Sequence, residues 1–397
     1  MMKKTLKDID VRNKKVIVRC DFNVPLDDDG NITDDTRIVG ALPTIEYLLA
    51  ENASIILMSH LGRPKGEANP KYSLAPVAAD ISKKIGREVI FKSVPEVVNA
   101  EVKEIAAGLK SGEVLLLENT RFRKEEEKNG EDFAKELSDL AEVFVNDAFG
   151  AAHRAHSSTA GISAYLPTVS GFLIEKELNF LGHALENPAR PFVAIMGGSK
   201  VSDKIKVIES LLSKADTLLI GGGMMFTFLK AEGLEVGKSI LDEEGLELAG
   251  QLIKLAREKG VTLLLPVDVK AADAFDNDSP ADIYSIDEIP ADRMGLDIGP
   301  KTAELFASEI ASSGTVLWNG PMGVFELPNF AAGTKAVAEA MAANEKAVTI
   351  IGGGDSAAAV SQFGLADRMS HVSTGGGASL EFIENGTLPC IEVIADK

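Results

Sequence analysis

Short, continuous apolar runs alternate with helical patterns along the whole chain, and that alternation leaves few folds open. The early runs read KVIVRC, SIILMS, EVIF, EVLLLE and EVFVND, parted by helical stretches such as RIVGALPTIEYLLAEN and DFAKELSDLAEV. The later ones read FVAIM, TLLIG, VTLLLP, TVLWN and AVTIIG, with KIKVIESLLSKA and AELFASEIASSG between them. Strands that are apolar throughout and separated by helices belong to parallel sheets covered on both faces. Two such sets in 397 residues predict an α/β protein with two doubly wound, Rossmann-like parallel-sheet domains. The join is expected at a helix over 173–187, where Ile174, Leu178, Leu181 and Leu185 recur at helical spacing and Asn187-Pro188 stops it. An ordinary crossover helix fits the same pattern.

Glycine-rich turns follow four of the later strands: GGSK at Gly197, GGGMMF at Gly221, GGGDSAAA at Gly352 and STGGGAS at Ser373. Glycines at a helix N-terminus open backbone N–H groups toward an anion, and Asp355 inside the third turn adds a carboxylate suited to Mg²⁺. A single such turn means only a tight strand-to-helix connection, but four in one half of a chain point to a large anionic ligand such as a nucleotide. Lys200 and Lys204, four apart after GGS, are expected on one face of the first helical turns, with Val201, Ile205 and Ile208 inward. A solvated charged face is the alternative for that pair. Glu326, at the end of MGVFE, could accept ribose hydroxyls or merely face water.

The first half carries its charge differently. Asp21 and Asn23 in CDFNVP, Arg37 at a helix start, His60 and Arg63 in SHLGRP, Arg121 in ENTRF, and Arg154 in NDAFGAAHRAHSS all follow strands. Ligands of open α/β sheets bind beyond the carboxyl ends of the strands. Arginine forks converging there suit a small, multiply charged acid, whereas one arginine alone would be an ordinary surface ion pair. His153 and His156 lack a carboxylate or cysteine at zinc-site spacing. The formal net charge of −19 argues against a general nucleic-acid or acidic-membrane surface, so an anion site must be a local basic cluster in an acidic exterior. No apolar run approaches the ~20 residues of a membrane span, MMKKTLKDID lacks a secretory pattern, and only Cys20 and Cys390 are present, which fits a reducing cytoplasm.

Taken in order, VRCDFNVP, SHLGRP, ENTRF, NDAFGAAHRAHSS, GGSKVSDKI, LWNGPMGVFE, GGGDS and STGGGASLEF resemble phosphoglycerate kinase, from the N-terminus to Pro389. The resemblance implies reversible phosphoryl transfer between 1,3-bisphosphoglycerate and ADP, giving 3-phosphoglycerate and MgATP, in glycolysis and gluconeogenesis. It implies a glycerate domain of residues 1–172 with a returning tail 384–397, a hinge helix 173–187, and a nucleotide domain 188–383 that closes on the first. Carried residue by residue, it places Asp21, Asn23, Arg37, His60, Arg63, Arg121 and Arg154 on the glycerate. Lys200, Lys204, Gly221, Gly295, Asn319, Pro321, Glu326, Gly353, Gly354, Asp355 and Ser356 fall on the nucleotide, with Asp355 on Mg²⁺. Arg37, Lys200, Gly354 and Gly376 would be catalytic, and a monomer is the expected state. Cys20, Ser199 and Met225 depart from the family pattern, and Met225 bears on the adenine pocket.

Two rivals are weaker. Gly352, Gly354 and Ala357 satisfy a loose dinucleotide-binding pattern, but the next strand, MSHVST, lacks the acidic residue that would hold a ribose. The P-loop motif G-x-x-x-x-G-K-[ST] is absent from the sequence. A catalytically silent binding protein on the same fold is disfavoured by intact Arg37, Lys200 and Asp355.

Overall fold

The computed structural model describes residues 2–397, which divide into two compact units. One holds the residues up to Asn179 together with Thr387–Lys397; the other is Phe180–Gly386.

The first unit is built on six parallel strands: β1 (Lys15–Arg19), β2 (Ser54–Met58), β3 (Val89–Phe91), β4 (Val114–Leu116), β5 (Val143–Asn146) and β6 (Thr168–Ser170). Their spatial order is β3-β4-β2-β1-β5-β6. Side chains alternate across a strand, so both faces of a covered sheet must be apolar. Here Val16, Val18, Ile55 and Leu57 enter one core, while Ile17, Ile56, Met58 and Leu115 enter the other. The chain's last residues rejoin this unit: Lys3 bridges Asp396 in antiparallel fashion, and Cys390 N donates to Ala152 O at 3.1 Å.

The second unit contains β7 (Phe192–Met196), β8 (Thr217–Ile220), β9 (Thr262–Leu264), β10 (Asp268–Ala272), β11 (Ala281–Ser285), β12 (Met294–Ile298), β13 (Thr315–Asn319), β14 (Val348–Gly352) and β15 (His371–Val372). Six are parallel, in the order β15-β14-β13-β7-β8-β9. Numbered along the chain, these six are a 3-2-1-4-5-6 Rossmann sheet, whose strand order reverses between β7 and β13. The remaining three form an antiparallel sheet, β11-β10-β12, that the strand pattern did not announce. Its edge strand β11 is largely exposed, so ADIYS shows no apolar run.

The segment around 173–187 is helical but not uniform. An α-helix at Phe172–Glu177 passes through a π turn, Leu178–Gly182, into His183–Glu186. The wide turn interrupts the regular helical face, and Leu178 is half-buried while Ile174, Leu181 and Leu185 are buried. The buried Asp147 caps its start, accepting from Leu173 N at 2.9 Å and Ile174 N at 3.2 Å. The helix Gly377–Asn385 ends at left-handed Gly386 and packs on the helix Ile205–Leu212, so the return to the first unit begins at Thr387, not 384.

Candidate active site

In the first unit, strand order reverses between β1 and β5, and the polar cluster lies at the carboxyl end of that pair. Arg19 pairs in register with Met58 on one side and Asn146 on the other, and the chain beyond it carries Asp21 and Asn23. Asp21 Oδ2 lies 2.5 Å from Arg37 Nη1 at the start of the helix Thr36–Ala50. Asn23 Oδ1 accepts from Gly62 N at 2.8 Å, and Arg121 Nη1 donates to Gly62 O at 2.9 Å. Gly62 has φ +60°, and a Cβ there would stand 2.4 Å from the Tyr72 ring, so this junction needs glycine. Asn119 secures the same loop, its Nδ2 donating to Leu61 O at 2.7 Å and Tyr72 O at 2.9 Å.

Asp21, Asn23, Arg37, His60 and Arg121 thus belong to one buried or half-buried network. Arg63, the residue after Gly62, is exposed, as is Arg154; neither has an ion-pair partner among the described residues. Arg154 still acts electrostatically on Arg121 and His156. Burial drives His60 well below the usual imidazole range; Arg19, Arg121 and Arg37 push the same way, and only Asp21 opposes them. Burial works against ionised Asp21, but the charges of Arg37 and Arg19 and the Asn23 backbone N–H favour it and hold it below the ordinary carboxylate value. His156, buried and faced by Arg19, Arg121 and Arg154, falls to about 4. Cys20 is buried, and its carbonyl accepts from Arg19.

In the second unit, β7 and β13 end side by side at Met196 and Asn319, with Gly197 the residue after β7. Lys204 Nζ lies between them, donating to Gly197 O at 2.8 Å and Asn319 Oδ1 at 2.6 Å. An ammonium can only donate, so the Asn319 amide must turn its Nδ2 the other way. That Nδ2 is buried without a hydrogen-bond partner, 2.7 Å from where a Cβ on Gly353 would lie. It is therefore a free donor facing the turn before the helix Gly354–Gln362. Gly353 has φ +87°, and the buried Ser356 holds the neighbouring loop by accepting from Gly320 N at 2.6 Å. Burial lowers Lys204 to about 8, with Asp355 and Asp203 opposing.

Beside these groups lies a cavity of about 750 Å³, lined by backbone at Gly198, Gly222, Gly223 and Gly295 and by Met225, Phe226, Ile240, Phe275 and Leu296. Pro321 also lines it, and Ser199, Lys238, Glu326 and Asp355 are its polar and charged groups. A Cβ on Gly295 would lie 2.1 Å from Phe226 Cζ, so glycine keeps this wall thin. An apolar slot with a few charged groups at its edge suits a flat heterocycle carrying a charged tail. Gly221 stands outside the lining, pressed against Met322 Sδ, and left-handed Gly376 precedes the helix Gly377–Asn385 without a lining role.

The lysine pair differs from the sequence expectation. Lys200 is exposed and precedes any helical turn, Lys204 closes a 3₁₀ turn at Ser202–Lys204, and the α-helix begins only at Ile205. With no continuous helix between them, the two lysines share no helical face. Lys204 instead turns back into the strand ends, and Ile205 is half-buried. Sequence reasoning also missed Arg19, which reads as the last residue of an apolar strand, Phe226, which closes GGGMMF where only the glycines carried a reading, and Lys238 and Phe275, which sit in no motif. The walls supplied by Met294, Gly295 and Leu296 come from the unannounced antiparallel sheet.

Two parallel α/β units, the second with Rossmann strand order and a glycine-walled cavity at its switch point, define a two-domain α/β nucleotide-binding protein. A family model described as phosphoglycerate kinase matches residues 6–386. A phosphoglycerate kinase of Clostridium tetani is 57% identical over 396 residues, covering 100% of this chain and 98% of the relative. One of Clostridium novyi is 58% identical, covering 100% and 99%. Among solved structures, phosphoglycerate kinase from Coxiella burnetii superposes with a TM-score of 0.91 at 44% identity, covering 98% of each chain. That from Pyrococcus horikoshii gives 0.83 at 32%, with the same coverage. The chain belongs to the phosphoglycerate kinase family.

Proposed function

We propose that the chain transfers a phosphoryl group reversibly between 1,3-bisphosphoglycerate and ADP, with the first unit holding the glycerate and the second the nucleotide. The observation that carries this reading is the chemical contrast between the two switch points: charged side chains at one, and a glycine-walled apolar cavity beside Lys204 and the free Asn319 Nδ2 at the other.

The acceptor in the ATP-consuming direction is a carboxylate, ionised at neutral pH, so no general base is required. What remains is alignment and neutralisation of charge on the moving phosphoryl oxygens. His60, Arg63, Arg121 and Arg154, with Asp21 and Asn23, bind and orient the acid. Arg37 and the exposed Lys200 supply positive charge to the transferring group, with N–H groups at Gly354 and Gly376. Lys204, Asn319 and the Gly353–Ser356 turn hold the nucleotide phosphates, and Glu326 takes the ribose.

No cluster of three or more metal-ligating side chains exists among the described residues, which suits an ion that arrives with the nucleotide and needs few protein ligands. Asp355 is exposed, lines the cavity and stands in the first turn of its helix, so it fits Mg²⁺ shared with phosphates. Bound there, the ion would neutralise phosphate charge. Residues 173–187 serve as the hinge by which the two ligands meet. The protein acts as a monomer in the cytoplasm; no helix among the described residues is long and apolar enough to cross a membrane. A coupled assay with ATP, 3-phosphoglycerate and Mg²⁺ tests the reading: turnover that stops on chelation supports it, and none with that trio refutes it.

A further inference from the structure

Arg19 is the most deeply buried arginine of the first unit, 1% exposed, and no carboxylate lies within ion-pair distance of it among the described residues. Its donors go elsewhere. Nε donates to Ser158 Oγ at 2.7 Å, Nη1 to the carbonyl of Cys20, and Nη2 lies 3.1 Å from His60 Nδ1. Ser158 in turn spends its hydroxyl proton on Glu126 Oε1 at 2.5 Å, and its backbone N–H on Glu126 Oε2 at 3.0 Å. Every donor in this relay therefore has a fixed direction, running from Arg19 outward.

The relay settles a matter that heavy-atom positions alone leave open. A guanidinium carries only donors and keeps its proton at any working pH. His60 Nδ1 must then be the acceptor, and the ring proton sits on Nε2. Protonating Nδ1 would set one N–H against another inside a buried site already facing Arg37 and Arg121, with Asp21 the single opposing charge. Among the described residues the His60 ring is engaged through Nδ1 and not through Nε2. The opposite tautomer would turn a lone pair toward an incoming anion.

We propose that Arg19 is a positioning residue that locks His60 as the neutral Nε2–H tautomer, so that His60 meets the anionic ligand of this site as an uncharged hydrogen-bond donor. The ligand clause rests on the glycerate assignment made above; the tautomer does not. His60 then offers the acid a hydrogen bond without charge, and glycerate affinity carries no His60 titration near neutrality.

The test is long-range ¹H–¹⁵N correlation on the full-length labelled protein, whose five histidines are separated by the loss of one signal in His60→Gln. The expected result is an acceptor-type shift at Nδ1 and a donor-type shift at Nε2, constant between about pH 8 and about pH 6, across the ordinary histidine range. A protonated Nδ1, an averaged mixture or titration in that range overturns the assignment. In Arg19→Met the His60 signals should move to a tautomer mixture and KM for 3-phosphoglycerate should rise at least about tenfold, as for one lost charge-assisted bond. Arg19→Lys, still an obligate donor, should restore the Nε2–H signature. If Arg19→Met keeps that signature, or if Arg19→Lys loses it, Arg19 is not the lock. If 3-phosphoglycerate leaves the wild-type His60 signals unmoved, the ligand clause fails while the tautomer stands.

Discussion

The two units end their sheets at comparable switch points but build opposite kinds of site there. The first uses side chains: Arg37 against Asp21, Arg121 on Gly62 O, and His60 on Arg19, with most of the charge buried and already hydrogen-bonded. The second uses the absence of side chains: Gly198, Gly222, Gly223 and Gly295 thin the cavity walls, few charged groups (Lys238, Glu326, Asp355) stand in its lining, and Lys204 bonds Asn319 at the neighbouring strand ends. A small acid offers little apolar surface, so its site must supply charge in fixed directions. A nucleotide offers a broad ring and a long anionic tail, so its site needs room and exposed backbone N–H groups. Removing a charge should damage one site, and adding a carbon should damage the other.

The largest effect is expected from Arg37→Ala. If Arg37 serves the transferring group more than the bound acid, kcat should fall by about 10³-fold or more while KM for either substrate changes little. Steady-state kinetics in the ATP-consuming direction decide this: loss of affinity with kcat intact would make Arg37 a binding residue. Next comes Arg121→Ala, which removes a buried donor and should weaken 3-phosphoglycerate by about 10- to 150-fold, or about 1.5–3 kcal/mol. Exposed Arg63→Ala should lie at the lower end of that range, and calorimetry should find ADP affinity unaltered in both. Gly295→Ala reverses the pattern. Its Cβ meets Phe226 2.1 Å away, and overpacking costs about 1–3 kcal/mol, so ADP should weaken about tenfold while the glycerate is unaffected.

The smallest effect separates the sites by pH. Lys204 sits at about 8 before ligand arrives, and phosphate contact must raise it. Affinity gained from a raised pKa is complete below the free value and is lost as pH climbs from the free value to the bound one. ADP binding should therefore be flat up to about pH 7 and decline above about pH 8, at most tenfold per unit. Lys204→Arg should remove that decline. The glycerate site, with its arginines permanently charged and His60 held far below neutrality, should show no matching fall over the same range. A parallel fall at both sites would place the titrating group elsewhere.

All the parallel strands but β6 were legible because burial on both faces demands uninterrupted apolar runs, whereas β6, Thr-Val-Ser, has none; the glycine turns were legible because each joins such a run to a helix. The motif arginines were legible by their position after strands. Arg19 was not, since nothing in KVIVRC distinguishes a charge that enters the core from one that ends a strand at the surface. The lysine pair misled for a related reason: spacing of four implies a shared face only within a continuous α-helix, and here a 3₁₀ turn intervenes. The antiparallel sheet escaped because exposed β11 carries no apolar period, so the wall around Gly295 could be reached only through family resemblance.

The measurement closest to the central claim is a crossed calorimetric titration of 3-phosphoglycerate and ADP into wild type, Arg121→Ala and Gly295→Ala. Arg121→Ala should lose glycerate affinity and keep ADP, while Gly295→Ala should lose ADP and keep the glycerate. Either variant losing both ligands to the same degree, with its fold intact by thermal unfolding, would contradict the assignment of one ligand to each unit.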